Sequence, residues 1–179
     1  MPTLDCLPLY VAAERGLFAD EGVSVDLQPY TAQMDCDTAL ARDRVEGMAT
    51  DLVRAERLQQ QGVKLHYATT TNLYWQLLTG KSARIKQLKH LDDKMLAMTR
   101  YSVTDMLGDI AVDSAKLAPE RVFRIQINDV NVRLSMLENS IMDAMLLPEP
   151  QATAARLLNS PVLYDSRQGN LRLGVLAFS

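Results

Sequence analysis

Runs of residues with helical spacing and runs with strand-like spacing of apolar positions alternate along almost the whole chain. Residues 7–18 carry apolar side chains at helical spacing until Gly16 breaks the pattern, and residues 23–27 then alternate apolar and polar positions as a strand does. Such alternation is typical of βαβ units and an α/β fold. We predict helices at residues 7–18, 37–44, 52–61, 85–91, 103–117, 132–138 and 151–158, and strands at residues 23–27, 47–50, 63–70, 73–79, 95–99, 122–127 and 144–147.

The order of these elements predicts two Rossmann-like α/β lobes with mostly parallel sheets. The strand at residues 73–79 crosses from the first lobe to the second, and the extended residues 162–164 and 171–178 lead back. We therefore predict that residues 1–78 plus 166–179 form lobe I, that residues 79–165 form lobe II, and that two crossover strands join them. Residues 73–81 and 163–170 are the predicted hinge.

Lobe I has no predicted strand ahead of its first helix. A parallel sheet of this type needs one there, and at its other end the chain stops directly after an apolar strand. We expect flanking pieces to be missing. Otherwise the first lobe does without a central strand or borrows one from another chain.

The composition is that of a globular protein with enough apolar material for a core, since 47% of the 179 residues are hydrophobic and 23% are charged. A net charge of -3 gives nucleic acid no electrostatic reason to bind. No bilayer-spanning run or export signal is visible, and the scattered glycines form no phosphate loop or dinucleotide fingerprint. A small-molecule or protein partner is therefore favoured, with no cofactor.

Ligands of open α/β sheets collect beyond the carboxyl ends of the strands, where loops and helix N-termini present hydrogen-bond donors. This rule selects the polar residues at the predicted strand-to-helix junctions. In lobe I the predicted ligand-binding residues are Asp5, Cys6, Thr31, Gln33, Met34, Asp35, Thr50 and Asp51. The others are Trp75 near the crossover and, in lobe II, Thr99, Arg100, Ser102, Thr104, Asn128, Asp129 and Glu149.

Arg100 is the first choice for a charged contact, because a guanidinium at a strand end grips a carboxylate, sulfonate or phosphate through two parallel hydrogen bonds. The alternative is a surface arginine or a partner of Asp105. The hydroxyls of Thr99, Ser102 and Thr104 either bind an anion or cap the helix that follows.

The acidic residues at the junctions suggest an amine-bearing or metal-associated ligand as readily as an anion. Capping of a helix is the alternative for Asp51 or Asp129. Glu149 lies between Pro148 and Pro150, which is a stiffer place than a solvated charge needs.

The remaining candidates leave several roles open. Trp75 either covers an apolar or cationic group of the ligand or packs between the lobes. Cys6 and Cys36 lack the spacing of a zinc site, and they are free thiols, a disulfide or, as the weakest alternative, metal ligands together with Asp35 or Asp5. His66 and His90 have no nucleophile context, so no catalytic residue and no metal site are predicted.

Three stretches carry a resemblance to a known family. Residues 7–27 read "LPLYVAAERGLFADEGVSVDL", residues 30–52 read "YTAQMDCDTALARDRVEGMATDL", and residues 141–157 read "IMDAMLLPEPQATAARL". The Gly-Leu-Phe element after the first helix, the polar loop before the next one, and the Glu-Pro dipeptide after a second-lobe strand resemble the solute-binding family that includes sulfonate, nitrate and thiamine-precursor binding proteins.

The resemblance implies the type II fold of periplasmic binding proteins, with a solute captured between two lobes that close by hinge motion. It also implies an ABC permease in the membrane as partner and a location in the periplasm, or lipid-anchored outside the inner membrane. The chain is then not an enzyme. The alternatives are an enzyme of the menaquinone-pathway chorismate dehydratase type, with Asp35 or Asn128 assisting elimination, and a cytoplasmic sensor domain that has lost its DNA-binding helices.

Overall fold

In the computed structural model, which describes residues 3–179, eight strands form two sheets. The first sheet has the order β1-β8-β2, and the second has the order β5-β4-β6-β3-β7. The strands of the first sheet are β1 (Gly47–Asp51), β2 (His66–Thr71) and β8 (Gly174–Phe178). Those of the second are β3 (Gln76–Thr79), β4 (Lys94–Met98), β5 (Val122–Gln126), β6 (Ala144–Leu147) and β7 (Val162–Asp165). The predicted α/β fold with two lobes is confirmed.

The two crossover strands run against their neighbours. In the second sheet β4 pairs parallel with β5 and β6, whereas β3 pairs antiparallel with β6 and β7. In the first sheet β8 pairs antiparallel with both β1 and β2. The chain changes sheet at residues 72–75 and 166–173, close to the predicted lobe boundaries, whose role as limits of moving bodies stays a prediction.

Seven α-helices connect the strands within residues 3–179, and none of them combines the length and apolarity that a bilayer-spanning helix needs. They are α1 (Leu7–Glu14), α2 (Leu17–Asp20), α3 (Gln33–Ala41), α4 (Leu52–Gln60), α5 (Val103–Ser114), α6 (Val130–Glu138) and α7 (Gln151–Leu157).

The larger core lies in lobe II. Helix α5 places Val103, Leu107 and Ala111 four residues apart on one face, and all three are buried. This face packs on β4, whose Leu96 is fully buried. This packing holds the N-terminus of α5 at the carboxyl end of β4, on the side of lobe II that faces lobe I.

The helices at the start of lobe I are more exposed to solvent than those of lobe II. No residue of α1 or α2 is buried, and Leu7 is 52% exposed. A groove of about 730 Å³ runs between α1, residues 24–30 and β1. Among the described residues β1 pairs only with β8, and Leu4–Cys6 form a single 3-10 turn at the place where a parallel sheet of this type needs a strand.

The predicted strand at residues 23–27 is wrong. The segment has no regular secondary structure and pairs with no strand in the described chain, and Val23 and Val25 are exposed. Alternation of apolar and polar residues specifies two faces of an extended chain, but a strand also needs a neighbour that supplies its hydrogen bonds.

The predicted α-helix at residues 85–91 is also wrong. Within this region only Leu88–Leu91 form a short 3-10 turn, and residues 85–87 are not helical. Arg84, directly before the segment, adopts a left-handed conformation with φ of 55°, so the preceding 3-10 turn Lys81–Ala83 does not continue into it. Buried Ile85 therefore reaches the core of lobe II from a loop, and buried Leu91 reaches it from a 3-10 turn.

Helix α3 begins at Gln33, earlier than the predicted start at residue 37. Its N-cap residue is Ala32, which makes no side-chain capping bond, so neither Asp35 nor Asp37 caps this helix. Asp37 lies inside the helix and pairs instead with Arg54, at 2.9 Å between Oδ2 and Nη2. The single helix predicted at residues 7–18 is two helices, α1 and α2, separated at the left-handed Gly16. The other predicted elements are confirmed to within a few residues at their ends.

Candidate ligand-binding cleft

A cavity of about 70 Å³ lies between the lobes, at the carboxyl ends of β1 and β4. Strand-to-helix junctions of both lobes contribute to its wall, as the position of ligands in open α/β sheets requires. The residues that line it are Thr3, Asp5, Cys6, Thr31, Gln33, Ala49, Thr50, Asp51, Arg54, Leu73, Trp75, Thr99, Ser102, Thr104, Asn128, Val130 and Arg133.

Asp51 connects the two lobes through one carboxylate oxygen. It ends β1 and caps α4, because its Oδ1 accepts a hydrogen bond from the Arg54 backbone N–H at 2.9 Å. The same oxygen accepts from the Val103 N–H of α5 at 3.2 Å. Burial raises the pKa of Asp51 to about 6, although both N–H bonds favour the charged form.

The β4–α5 junction holds three of the predicted hydroxyl residues. Ser102 caps α5 by accepting from Thr104 N–H at 3.1 Å, and it donates to the Thr99 carbonyl at 2.7 Å. Thr104 Oγ1 accepts from Thr99 N–H at 2.9 Å. The hydroxyls of Ser102 and Thr104 thus form hydrogen bonds within the junction. The Thr99 hydroxyl instead contacts a residue of α6.

The residue of α6 that contacts the Thr99 hydroxyl is Arg133, which is 1% exposed. Its guanidinium donates to the carbonyls of Ile127 and Leu146 at 2.7 and 2.8 Å and to Thr99 Oγ1 at 2.5 Å. No carboxylate within the described residues forms an ion pair with it. Burial lowers the pKa of Arg133 to about 9, so the group stays cationic at neutral pH.

Two buried N–H groups of the cleft have no hydrogen-bond partner within residues 3–179. They are Nε of Arg54, which is 4% exposed, and Nε1 of Trp75, which is 9% exposed. The Trp75 ring also faces the Arg133 guanidinium at 5.9 Å from its centroid, in cation–π geometry.

The lobe I side of the cleft is rich in oxygen atoms. Asp5 accepts hydrogen bonds from the hydroxyls of Thr3 and Thr71, the latter at 2.7 Å. Gln33 Nε2 donates to Thr50 Oγ1 at 3.2 Å. These bonds tie α3, β1 and β2 together beside the cavity.

Five of the predicted residues do not line this cavity. Arg100 and Asp35 are exposed, and Met34 approaches Asn128, whose Nδ2 lies 3.4 Å from the methionine sulfur. Asp129 caps α6 by accepting from Asn131 N–H at 2.8 Å. Their contact with a ligand stays a prediction.

Glu149 is the fifth of these residues and lies in a separate buried network. Its carboxylate accepts from Tyr74 OH at 3.1 Å, from Thr153 N–H at 2.9 Å and from Arg156 Nη2 at 2.9 Å. Burial opposes the charged form, but these donors outweigh it and lower the pKa of Glu149. The network ties α7 to the crossover segment before β3.

Sequence reasoning missed the two arginines of the cleft, Arg54 and Arg133. Both lie in the first turns of helices that follow cleft-facing strands, α4 and α6. Because Cα–Cβ bonds tilt towards the helix N-terminus, a long side chain in the first turns reaches back over the strand end. An arginine in the first residues of a helix that follows such a strand is therefore the sequence feature that could have identified both.

Both cysteines are free thiols. Burial, followed by the charges of neighbouring aspartates, raises the pKa of Cys6 and raises that of Cys36 to about 11. Cys6 lines the cleft, whereas Cys36 borders the groove beside β1. No group of three His, Cys, Asp or Glu side chains in residues 3–179 is placed to hold a metal ion.

Two α/β lobes joined by two crossovers, with a polar cleft between them, are the architecture of the type II fold of periplasmic binding proteins. The alkanesulfonate-binding protein SsuA from Xanthomonas axonopodis pv. citri, solved with bound MOPS, superposes with a TM-score of 0.84 at 16% identity. This alignment covers 99% of the present chain and 62% of the other. The family model described as "NMT1/THI5 like" matches residues 3–162, so the chain belongs to the NMT1/THI5-like family. The resemblance found in the sequence is confirmed.

Two further solved structures share the fold. The periplasmic aliphatic sulphonate binding protein SsuA from Escherichia coli has a TM-score of 0.76 at 18% identity, over 95% of this chain and 57% of that one. PhnD1 from Prochlorococcus marinus, in complex with methylphosphonate, has a TM-score of 0.74 at 9% identity, over 99% and 72%. The present chain therefore spans about six-tenths of the length of the two SsuA proteins. A search of curated protein sequences finds no match.

Proposed function

We propose that this chain captures a small polar organic solute between its two lobes and, once closed, delivers it to the permease of an ABC importer. The observation that carries the proposal is the cavity between the lobes, whose wall includes buried polar groups from both. Such a site is the expected place for a ligand that is released when the lobes separate. Location outside the cytoplasmic membrane, in the periplasm or lipid-anchored, belongs to the same proposal.

A thermal-shift screen of the purified chain tests solute capture. The panel contains sulfonates, phosphonates, carboxylates, amino acids, pyrimidines and polyamines. A ligand present at 100 times its dissociation constant adds about 2.7 kcal/mol to the free energy of unfolding, which corresponds to a rise in Tm of about 5 to 11 °C for a chain of this size.

Two results contradict the proposal. One is a panel in which no compound raises Tm. The other is turnover of chorismate-like acids by the purified chain, which would make it an enzyme on the same fold. Fractionation of cells that express the natural gene tests the location, and recovery in the cytosol would contradict the importer assignment.

A further inference from the structure

Helix α4 of lobe I contacts lobe II at the place where β4 leads into α5. At its start, Asp51 Oδ1 accepts from the Val103 N–H at 3.2 Å. Two turns later, the Arg57 guanidinium lies 4.1 Å from the centroid of the Tyr101 ring. Between these two contacts, Val53 packs against the core of lobe II. None of these residues belongs to the segments at which the chain changes sheet, so the contacts break when the lobes separate although the crossovers stay intact.

In the described chain the hydrogen-bond partner of the Val103 N–H is Asp51. Val103 is the first residue of α5, so its N–H has no carbonyl within its own helix to bind. The Asp51 oxygen that accepts this bond also caps α4, and it therefore joins the N-termini of two helices from different lobes. When the lobes separate, the cap on α4 remains within lobe I, and only the bond to Val103 is lost.

Tyr101 lies beside this bond in an uncommon backbone conformation. Its φ of 58° is left-handed, which a bulky residue rarely adopts, and its side chain is 58% exposed. Its N–H donates to Asp105 Oδ2 at 3.1 Å within lobe II. Lobe II thus holds the Tyr101 backbone by itself, whereas the stacking of its ring on Arg57 requires both lobes.

The charge on Asp51 responds to the separation of the lobes, because the carboxylate is 6% exposed where they meet. The charged groups that face it are Arg54 of α4 and Asp37 of α3, which pair with one another at 2.9 Å, and from α5 it faces the Val103 N–H. Burial raises the pKa of Asp51 to about 6 with a contribution from Asp37, although Arg54 and the two N–H bonds oppose this. Separation of the lobes admits water, so the pKa falls towards its ordinary value of about 3.9. The closed arrangement therefore holds the Asp51 proton more tightly than the open one does.

We propose that Asp51 and Arg57 of lobe I and residues 101–103 of lobe II form a latch, which holds the lobes closed and takes up a proton as it closes. The closed arrangement is then favoured at acidic pH, and this advantage is lost as pH rises through about 6. The ratio of closed to open molecules should be about 10-fold greater at pH 5 than at pH 7. As a regulation of solute capture, this inference rests on the proposed function, since it concerns closure of the same cleft.

Amide hydrogen exchange of the free chain, followed by NMR, tests the latch without a solute. The Val103 N–H reaches water when the lobes separate, so its protection factor measures the ratio of closed to open molecules. We expect this factor, which is corrected for intrinsic exchange, to be about 10-fold greater at pH 5 than at pH 7. Leu107 is the internal reference, because its N–H is bonded within α5 and exchanges only when that helix unfolds. Val103 should therefore exchange faster than Leu107 at both pH values.

Three variants assign the effect to the latch residues. Asp51→Asn keeps an oxygen that accepts from Val103 but does not titrate, so its Val103 protection should stay within about 2-fold between the two pH values. Arg57→Met removes the stacking on Tyr101, and we expect about 2- to 5-fold lower protection at both pH values, with the pH dependence retained. Asp35→Asn is the matched control, since Asp35 is an exposed aspartate of the neighbouring α3, and it should behave as the wild type.

Several results would overturn the latch. One is Val103 protection in the wild type that is independent of pH or that rises with pH, and another is a pH dependence that survives in Asp51→Asn. Equal protection of Val103 and Leu107 would show that the bond to Asp51 breaks only on unfolding, which also overturns it. Wild-type protection in Arg57→Met overturns the role of Arg57.

The outcomes separate this inference from the function on which it rests. If the thermal-shift panel finds a solute and Val103 protection is independent of pH, solute capture stands and the latch is wrong. If no compound of the panel binds, although Val103 protection depends on pH and Asp51→Asn abolishes that dependence, the proton-linked contact stands and the proposed function fails.

Discussion

Asp51 lines the candidate cleft, caps α4 and contacts α5 of the other lobe. Its buried carboxylate accepts from the backbone of α4 and of α5 at the same oxygen. Burial raises its folded-state pKa to about 6, above the value of about 3.9 in an unfolded chain. The folded protein therefore holds the Asp51 proton more tightly than the unfolded chain does between these two pH values.

The sign of this shift predicts the pH dependence of an Asp51→Asn variant. At pH 4 both proteins carry a neutral side chain at this position, whereas at pH 7 the wild type buries a charge. As pH rises from 4 to about 6, the wild type should lose about 1 to 3 kcal/mol of unfolding free energy relative to the variant. Urea denaturation at four pH values measures this. Asp35→Asn on exposed α3 is the control, and a difference between wild type and Asp51→Asn that stays constant with pH contradicts the interpretation.

The role of Glu149 is either structural, within its buried network, or that of a ligand contact. Its donors lower its pKa, so the stability that it contributes is present above about pH 4.5 and is lost as pH falls below that value. Glu149→Gln should cost about 1 to 3 kcal/mol at pH 7, because charge-assisted bonds from Thr153 and Arg156 are lost, and much less at pH 3.5. Urea denaturation at both pH values checks this, with exposed Glu14→Gln as control. A variant of full stability that no longer binds solute would instead support the ligand contact.

How much of the cleft follows from the sequence depends on where a residue lies relative to a strand end. Thr50 and Asp51 end β1, Thr99 directly follows β4, and Asn128 lies two residues after β5, so the junction rule finds them. Arg133 is the fourth residue of α6, and its role depends on burial and on three carbonyl and hydroxyl acceptors that only the folded chain brings together. Charge and spacing alone favoured Arg100, which is exposed.

At the scale of elements, strands and helices were predictable where local pattern and tertiary partner agree. The apolar face of α5 and the fully buried β6 have neighbours that match their patterns. Residues 23–27 have the pattern of a strand but no partner in the described chain. Residues 85–91 have helical spacing but form only the 3-10 turn Leu88–Leu91, and the left-handed Arg84 directly precedes them. Pairing and backbone interruptions depend on the rest of the fold, which a local pattern does not contain.

Two glycine substitutions, one in β8 and one in α5, test the packing of the second crossover strand. Gly174 begins β8 between β1 and β2, and a Cβ there would overlap the side chains of Thr71 and Leu73. Gly174→Ala should therefore cost about 2 kcal/mol or more in unfolding free energy. Gly108→Ala inside α5 meets only ordinary contacts and gains helix propensity, so it should stay within about 1 kcal/mol of the wild type. Thermal and urea denaturation measure both, and equal effects of the two substitutions contradict the packing described for β8.

At the scale of the whole molecule, a few polar contacts close the two lobes over the cleft. Asp51 meets the α5 backbone, the Arg57 guanidinium stacks on Tyr101 at 4.1 Å, and Asn128 approaches Met34 at 3.4 Å. Contacts of this kind are individually weak, so we propose that the lobes separate about the two crossovers. A ligand that satisfies donors from both lobes then shifts the population towards the closed form.

Small-angle X-ray scattering of the purified chain, with and without the tightest-binding solute, measures this closure directly. We expect the free chain to have a larger radius of gyration than the saturated one, and the saturated profile to match the closed arrangement of the lobes. A solute that binds, as shown by titration, and leaves the scattering profile unchanged would contradict capture between the lobes.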